Sequence, residues 1–200
     1  MRIQEQFGNI DIYLFDQILR GRLAPGMRIF DAGCGSGRNL VYLLREGYEV
    51  FAVDADPRAA EAVRRIAPAL PAENVRVEPL ESHSFPDGFA DFVISSAVLH
   101  FARDEQQFEA MLRGTWRALR PGGLLFCRLA STIGIEGKAR ALGGRRFLLP
   151  DGSERYLVDE EILMRLTENW GGELADPIKT TVVQNQRAMT TWVVRKLHRI

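Results

Sequence analysis

Short apolar runs alternate with segments whose apolar positions recur at helical spacing, and the alternation repeats five times along the chain. Residues 9–20 place Ile10, Tyr13, Leu14 and Ile18 at helical spacing, with Gly21 just after. Residues 27–32 form a short apolar run that ends in glycines and predicts a strand. Residues 38–46 read as a helix stopped by Gly47, and residues 48–53 as a second strand. Asp56 followed by Pro57 opens a helix to about residue 67, since proline suits the first helical position, where no backbone N–H is needed. Further strands are predicted at 74–78, 89–95 and 124–129. The 89–95 run is apolar on both faces, as in a strand covered by helices on each side. Asp104 can cap a helix to Leu119, ended by Pro121-Gly122-Gly123, and Asp159 can cap another through Trp170. Two β-like runs near 173–183 and 187–195 close the chain with no helix between them.

Strand–helix alternation of this kind predicts an α/β fold: a doubly wound, mostly parallel seven-stranded sheet with helices on both faces. The last two runs predict an antiparallel hairpin at one edge. No stretch reads as a linker, so residues 1–200 are expected to form one Rossmann-like domain. Residues 1–24 would be an N-terminal helical lid, with Phe7, Tyr13 and Phe15 either covering a ligand or packing in the core. Residues 131–158, rich in glycine and arginine and weakly patterned, would be an insertion or substrate lid.

Composition narrows the class. Hydrophobic residues at 46% and charged residues at 26% exclude an intrinsically disordered chain. The 26 basic and 26 acidic side chains give a formal net charge of zero, which excludes a generally basic nucleic-acid binder. That zero hides segregation. Acids predominate in 47–112, whereas 113–146 holds eight bases (Arg113, Arg117, Arg120, Arg128, Lys138, Arg140, Arg145, Arg146) against Glu136 alone. The basic block favours an anionic acceptor, with a small RNA contact as a weaker alternative. No N-terminal signal peptide is visible, and the longest stretch free of acids and bases, 92–102, is too short to span a bilayer. Cys34 and Cys127 make neither a disulfide framework nor a metal site. A cytoplasmic protein without a metal is the expectation.

The informative stretch runs from Ile29 to Asn39 and contains Asp31-Ala32-Gly33-Cys34-Gly35-Ser36-Gly37. It follows a strand and precedes a helix, where ligands bind in open parallel sheets. Glycines there adopt positive φ and let the backbone approach a ligand. A second strand ends at Asp54, 21 residues after Gly33, and a carboxylate there can accept both hydroxyls of a ribose. Dinucleotides and S-adenosylmethionine both suit this geometry. The dinucleotide fingerprint places its third glycine where Arg38 stands; here it falls one residue earlier, at Gly37.

The pattern Asp-x-Gly-x-Gly-x-Gly resembles motif I of the class I S-adenosylmethionine-dependent methyltransferases. Residues 85–95 and 119–125 look like that family's fourth-strand segment and its turn before strand five. The resemblance implies S-adenosylmethionine as cofactor and S-adenosylhomocysteine as product. It implies that Asp31 orients or contacts the methionine part and that Gly33, Gly35 and Gly37 pass close to it. Asp54 would bind the ribose, and the Ala55 backbone would lie beside the adenine. Many family members carry an aspartate after strand three for the adenine amino group; Pro79 stands there. Leu80 can still offer its backbone N–H, and Glu81 or Glu78 the acceptor. Arg38 and Ser95 would help hold the methionine part. In overall layout the chain is most similar to tellurite-resistance-type small-molecule methyltransferases, which implies small soft anions, thiols or small metabolites as acceptors.

Methyl transfer mainly requires alignment of the nucleophile and exclusion of water. A base can assist an oxygen or nitrogen acceptor, and His100, just past strand four, is the candidate; a packed histidine shaping the pocket is the other reading. Arg140, Arg145 and Arg146 would clamp an anionic acceptor. The expected partner is a small-molecule acceptor, anionic or thiol-like, with no membrane and nucleic acid disfavoured; monomer and homodimer both stay open. The alternatives are a methyltransferase acting on RNA or protein, and a non-catalytic S-adenosylmethionine-binding protein.

Overall fold

The computed structural model describes residues 2–198. Five parallel strands form its centre: β1 (Arg28–Ala32), β2 (Glu49–Asp54), β3 (Val75–Val77), β4 (Ala90–Ser96) and β5 (Leu119–Ala130). The chain continues to an antiparallel edge made of β9 (Gly172–Leu174), β10 (Lys179–Val183) and β11 (Arg187–Lys196). The strand order is β10-β11-β5-β4-β1-β2-β3, the mostly parallel seven-stranded path that the sequence predicts. The run at 173–183 divides into two strands. β10 pairs with the first half of β11 and β9 with its end, which gives the sheet an eighth strand.

Helices cover both faces. On one face β-strand residues such as Ile29, Val50, Ile94 and Phe126 pack against α2 (Ile12–Leu19), α3 (Val41–Arg45) and α4 (Pro57–Ile66). Their alternate neighbours Phe30, Val53, Val93 and Leu125 pack against α5 (Glu105–Ala118) and α6 (Glu160–Asn169). Successive side chains of a strand point to opposite faces, so a strand covered on both sides is apolar throughout. The helices start where the sequence signals them. Asp56, Asp104 and Asp159 each accept a backbone N–H of the first turn.

Two features depart from expectation. The predicted helix at 38–46 shrinks to α3, because residues 37–40 are a turn that Asn39 ties to the N-terminal segment. Residues 131–158 are a three-stranded antiparallel sheet of β6 (Arg140–Gly143), β7 (Arg146–Leu148) and β8 (Glu154–Tyr156). It packs through Ile135, Leu149 and Leu157, and its Tyr156 stacks on Phe108 with ring centroids 4.5 Å apart. The N-terminal aromatic residues pack against neighbouring side chains, one of the two placements the sequence leaves open. Phe7 follows from α1 (Ile3–Phe7), stacks on Tyr42 and meets Phe15 edge-on, while Tyr13 lies under Arg128 and touches Thr181. Among the described residues no helix is long and apolar enough to cross a membrane.

Candidate cofactor site

The strand order reverses direction between β1 and β4, and at such a switch point the loops part and leave a crevice outside the strand C-termini. A cavity of about 760 Å³ occupies that position. Its wall is built from the loop after β1, the end of β2, the segment after β3, the segment after β4, and Gln107 and Met111 of α5.

The glycine loop is folded onto the end of β2. Gly33 and Cys34 both donate their N–H to the Val53 carbonyl, at 2.9 and 3.0 Å. Gly35 donates to Asp54 Oδ2 at 2.9 Å, and Asp56 donates to the other Asp54 oxygen at 2.9 Å. The Asp54 carboxylate therefore latches the loop while still lining the cavity, and each oxygen retains a lone pair for a further donor. Three loop N–H groups are spent on β2, so they are not available to cradle a pyrophosphate. The glycines have distinct jobs. Gly33 has φ +88°, and a Cβ there would lie 2.7 Å from both methyls of Val98, across the cavity floor. Gly37 has φ +75°, and its Cβ would strike Ile66 and Val63 of α4, so this glycine serves packing and not the cavity wall.

The sequence-predicted residues divide accordingly. Gly33, Gly35, Arg38, Asp54, Ala55, Leu80 and Glu81 line the cavity, together with Pro79. Glu81 accepts from Gln107 Nε2 at 3.0 Å, whereas Glu78 turns away to Ser84. Ser95 is fully buried inside β4, and its neighbour Ser96 takes the place expected for it. Arg38 donates to Ser96 Oγ at 3.0 Å and lies 3.5 Å from Asp11, so it belongs to a network that fastens the N-terminal segment. Ser96, Gln107 and Met111 have no signal in the sequence, because only tertiary contact brings them to the loop. Burial, with the charges of Asp31 and Asp54 beside it, raises the Cys34 thiol far above its usual range.

His100 does not line this cavity. It is buried, and its Nδ1 accepts the Ala130 N–H at 3.1 Å. Burial lowers its pKa to about 4, with Arg155 and Arg128 lowering it further. The neutral ring therefore carries its proton on Nε2 and acts as a donor, so a general-base role does not fit this geometry. His83, which the sequence gives no role, is buried and held by the Gly114 carbonyl and Arg117.

Asp31 lies beneath the loop, 2% exposed, and its Oδ2 has no hydrogen-bond partner among the described residues. Residues 30–127, which span this whole site, match a family of methyltransferase domains. That segment is a methyltransferase domain, and the fold of the chain is that of S-adenosylmethionine-dependent methyltransferases. A ubiquinone biosynthesis O-methyltransferase of Methylocella silvestris is 34% identical over 135 residues, covering 65% of this chain and 51% of that protein. The chain spans about half or less of the length of the curated relatives it matches first. Among solved structures, an S-adenosylmethionine-dependent methyltransferase of Methanosarcina mazei aligns with TM-score 0.75 at 22% identity, over 91% of this chain and 98% of that one. A TehB-like methyltransferase of Corynebacterium glutamicum aligns with TM-score 0.63 at 23% identity, over 93% and 89%.

The residues of this methyltransferase domain fit the cofactor. Asp54, an acid with spare lone pairs, and the crowded Gly33 line one cavity, and the buried Asp31 carboxylate lies behind the loop that bounds it. Asp31 also makes the domain pH-sensitive. Its pKa is raised to about 7 by burial, with Arg38 lowering it and Asp54 raising it. Between the ordinary value of 3.8 and about 7, the folded protein keeps this proton and the unfolded chain has lost it. Stability contributed by Asp31 therefore falls as pH rises through that window and is level above it. Between pH 5 and 8 the wild type is expected to lose about 3 kcal/mol more than Asp31→Asn. Urea unfolding of both proteins at the two pH values checks this; parallel pH profiles would refute it.

Proposed function

We propose that this methyltransferase transfers the methyl group of S-adenosylmethionine to a small-molecule acceptor, with residues 1–200 acting as one catalytic domain. The observation that carries the reading is the cavity at the sheet's switch point, walled by Asp54 on one side and by Gly33, Cys34, Gly35 and Ser36 of the glycine loop on the other. In it Asp54 would hold the ribose, and Ala55, Leu80 and Glu81 would surround the adenine. Asp31 and the loop at Gly33 and Gly35 would face the methionine part, with Ser96 and Arg38 beside it. When bound, the cofactor would supply an electrophilic sulfonium methyl for transfer to the acceptor's lone pair.

The protein's own contribution is alignment and exclusion of water. Val98, Phe101 and Met111 line the cavity with apolar surface. No histidine is among the residues that line it. The acceptor nucleophile must then arrive with a usable lone pair, as a thiolate, an amine or an acidic hydroxyl does. Isothermal titration with S-adenosylhomocysteine tests the cofactor site: saturable one-to-one binding is the expected result, and absence of heat with wild-type protein overturns the reading. Turnover of S-adenosylmethionine with a panel of small thiols, amines and phenols then distinguishes an enzyme from a binding protein.

A further inference from the structure

A second chamber, of about 410 Å³, adjoins the cofactor cavity and shares Ala97 and Phe101 with it as walls. Ala97 sits where the two meet, at φ +65°, a conformation that non-glycine residues adopt at a cost. It is held there by donating its N–H to the Arg128 carbonyl at 2.7 Å. Strain kept at the junction of two cavities marks a point where the backbone is shaped for a ligand, not for packing.

The chamber is basic on one side and apolar on the other. Arg128, Arg155 and Arg187 line it. Arg128 is engaged with Asp11 at 3.0 Å. Arg155 lies 4.8 Å over the Phe101 ring, and its hydrogen bond goes to the carbonyl of its neighbour Glu154. Arg187 is exposed and makes no hydrogen bond or close ion pair among the described residues. One acid, Asp151, faces them, and it is bound by the Ser153 hydroxyl at 2.6 Å and the Ser153 N–H at 2.9 Å. With Arg128 neutralised by Asp11, the chamber keeps one uncompensated positive charge. His100 adds a built-in donor. It is 5% exposed and lines the chamber, its Nδ1 is taken by Ala130, and no protein acceptor meets its Nε2 among the described residues.

We propose that this chamber is the acceptor subsite of the methyl transfer inferred above, and that the acceptor is a small organic acid. Its carboxylate would be held by Arg155, Arg187 and the His100 Nε2–H, and its apolar body would lie against Phe101 and Ala97, pointing toward the cofactor cavity. Guanidinium and carboxylate match in geometry and charge, while a volume of this size takes a compact ligand. The assignment moves the anion clamp away from the arginines that the sequence singles out. Arg145 is bound to Asp159 and the Leu157 carbonyl, and Arg146 to Glu154 and the Ala102 carbonyl. The insertion still serves the acceptor, because Leu149, Asp151, Ser153 and Arg155 bring it to the chamber.

The proposal rests on the methyltransferase reading but is tested apart from it. Benzoate and its uncharged isostere benzamide are titrated into protein saturated with S-adenosylhomocysteine. Wild type is expected to bind benzoate at least about tenfold more tightly than benzamide. The Arg155→Gln/Arg187→Gln double variant should lose that preference while binding S-adenosylhomocysteine within about twofold of wild type. Arg187→Gln alone, at an exposed side chain, gives the same readout should the double variant fold poorly. Equal affinity for the two probes, no saturable benzoate binding by about 10 mM, or a preference that survives both substitutions overturns the proposal. Failure of S-adenosylhomocysteine to bind wild type would fall on the cofactor reading instead, and the same probe pair on the apo protein then decides the chamber by the same criteria.

Discussion

Asp54→Ala is expected to weaken S-adenosylhomocysteine binding by at least about a hundredfold. The carboxylate does two things at once. It accepts the Gly35 N–H and the Asp56 N–H, both at 2.9 Å, and so fixes the glycine loop against the end of β2. Its remaining lone pairs face the cavity, where the cofactor ribose would donate. Each charge-assisted hydrogen bond is worth about 1.5–3 kcal/mol, so losing the ribose contacts together with the loop's preorganisation leads to an effect of this size. Asp54→Asn keeps one acceptor oxygen and should fall between, at about tenfold. Calorimetric titration of the three proteins measures the series. An alanine variant that binds within about threefold of wild type would remove Asp54 from the cofactor site.

Asp11→Ala is expected to give the largest loss of stability, about 3–5 kcal/mol. The Asp11 side chain is 1% exposed and accepts from Arg128 at 3.0 Å, from Ser96 Oγ at 3.1 Å and from the Tyr13 N–H that begins α2 at 3.0 Å. Arg38 lies 3.5 Å away. Removing the carboxylate leaves the partly buried Arg128 and the Ser96 hydroxyl without their acceptor and uncaps α2. For a chain of this length the thermal midpoint should fall by roughly 10 °C. Asp11→Asn retains an acceptor without the charge and is expected to fall part of the way. A midpoint within about 2 °C of wild type for Asp11→Ala would show that the network contributes nothing. Ser96 and Arg38 line the cofactor cavity, so the variant should also bind S-adenosylhomocysteine more weakly.

Much of the fold is legible in the sequence because its signals are local. An aspartate at a helix start accepts an N–H from its own first turn, which is why Asp56, Asp104 and Asp159 mark their helices correctly. A strand with helices on both sides is apolar throughout, so residues around 89–95 identify a central strand. The three short strands of the insertion escape notice, since each has only three or four residues and Tyr156 alone among them is buried. The helix at 38–46 is overestimated because Arg38 and Asn39 make long-range hydrogen bonds with Asn9, Ser96 and Asp11, and propensity alone cannot register these.

The sequence by itself determines the glycine loop, Asp31 and Asp54, and hence the family and the cofactor, since these residues act within one strand–turn–helix unit and its neighbour. Only the tertiary structure decides the rest of the site. It brings Gln107, Met111 and Ser96 to the cavity and turns His100 into a donor outside it. It also decides what the segregated charges do. The basic block of 113–146 is largely neutralised by distant acids: Arg117 by Asp87, Arg120 by Asp91, Arg128 by Asp11, Arg145 by Asp159 and Arg146 by Glu154. Partly buried arginines seek carboxylates wherever the fold supplies them, so charge counted along a chain does not locate free charge in space. The two arginines of the second chamber that no acid pairs closely, Arg155 and Arg187, lie outside that block, brought together by the packing of the insertion beside the C-terminal hairpin.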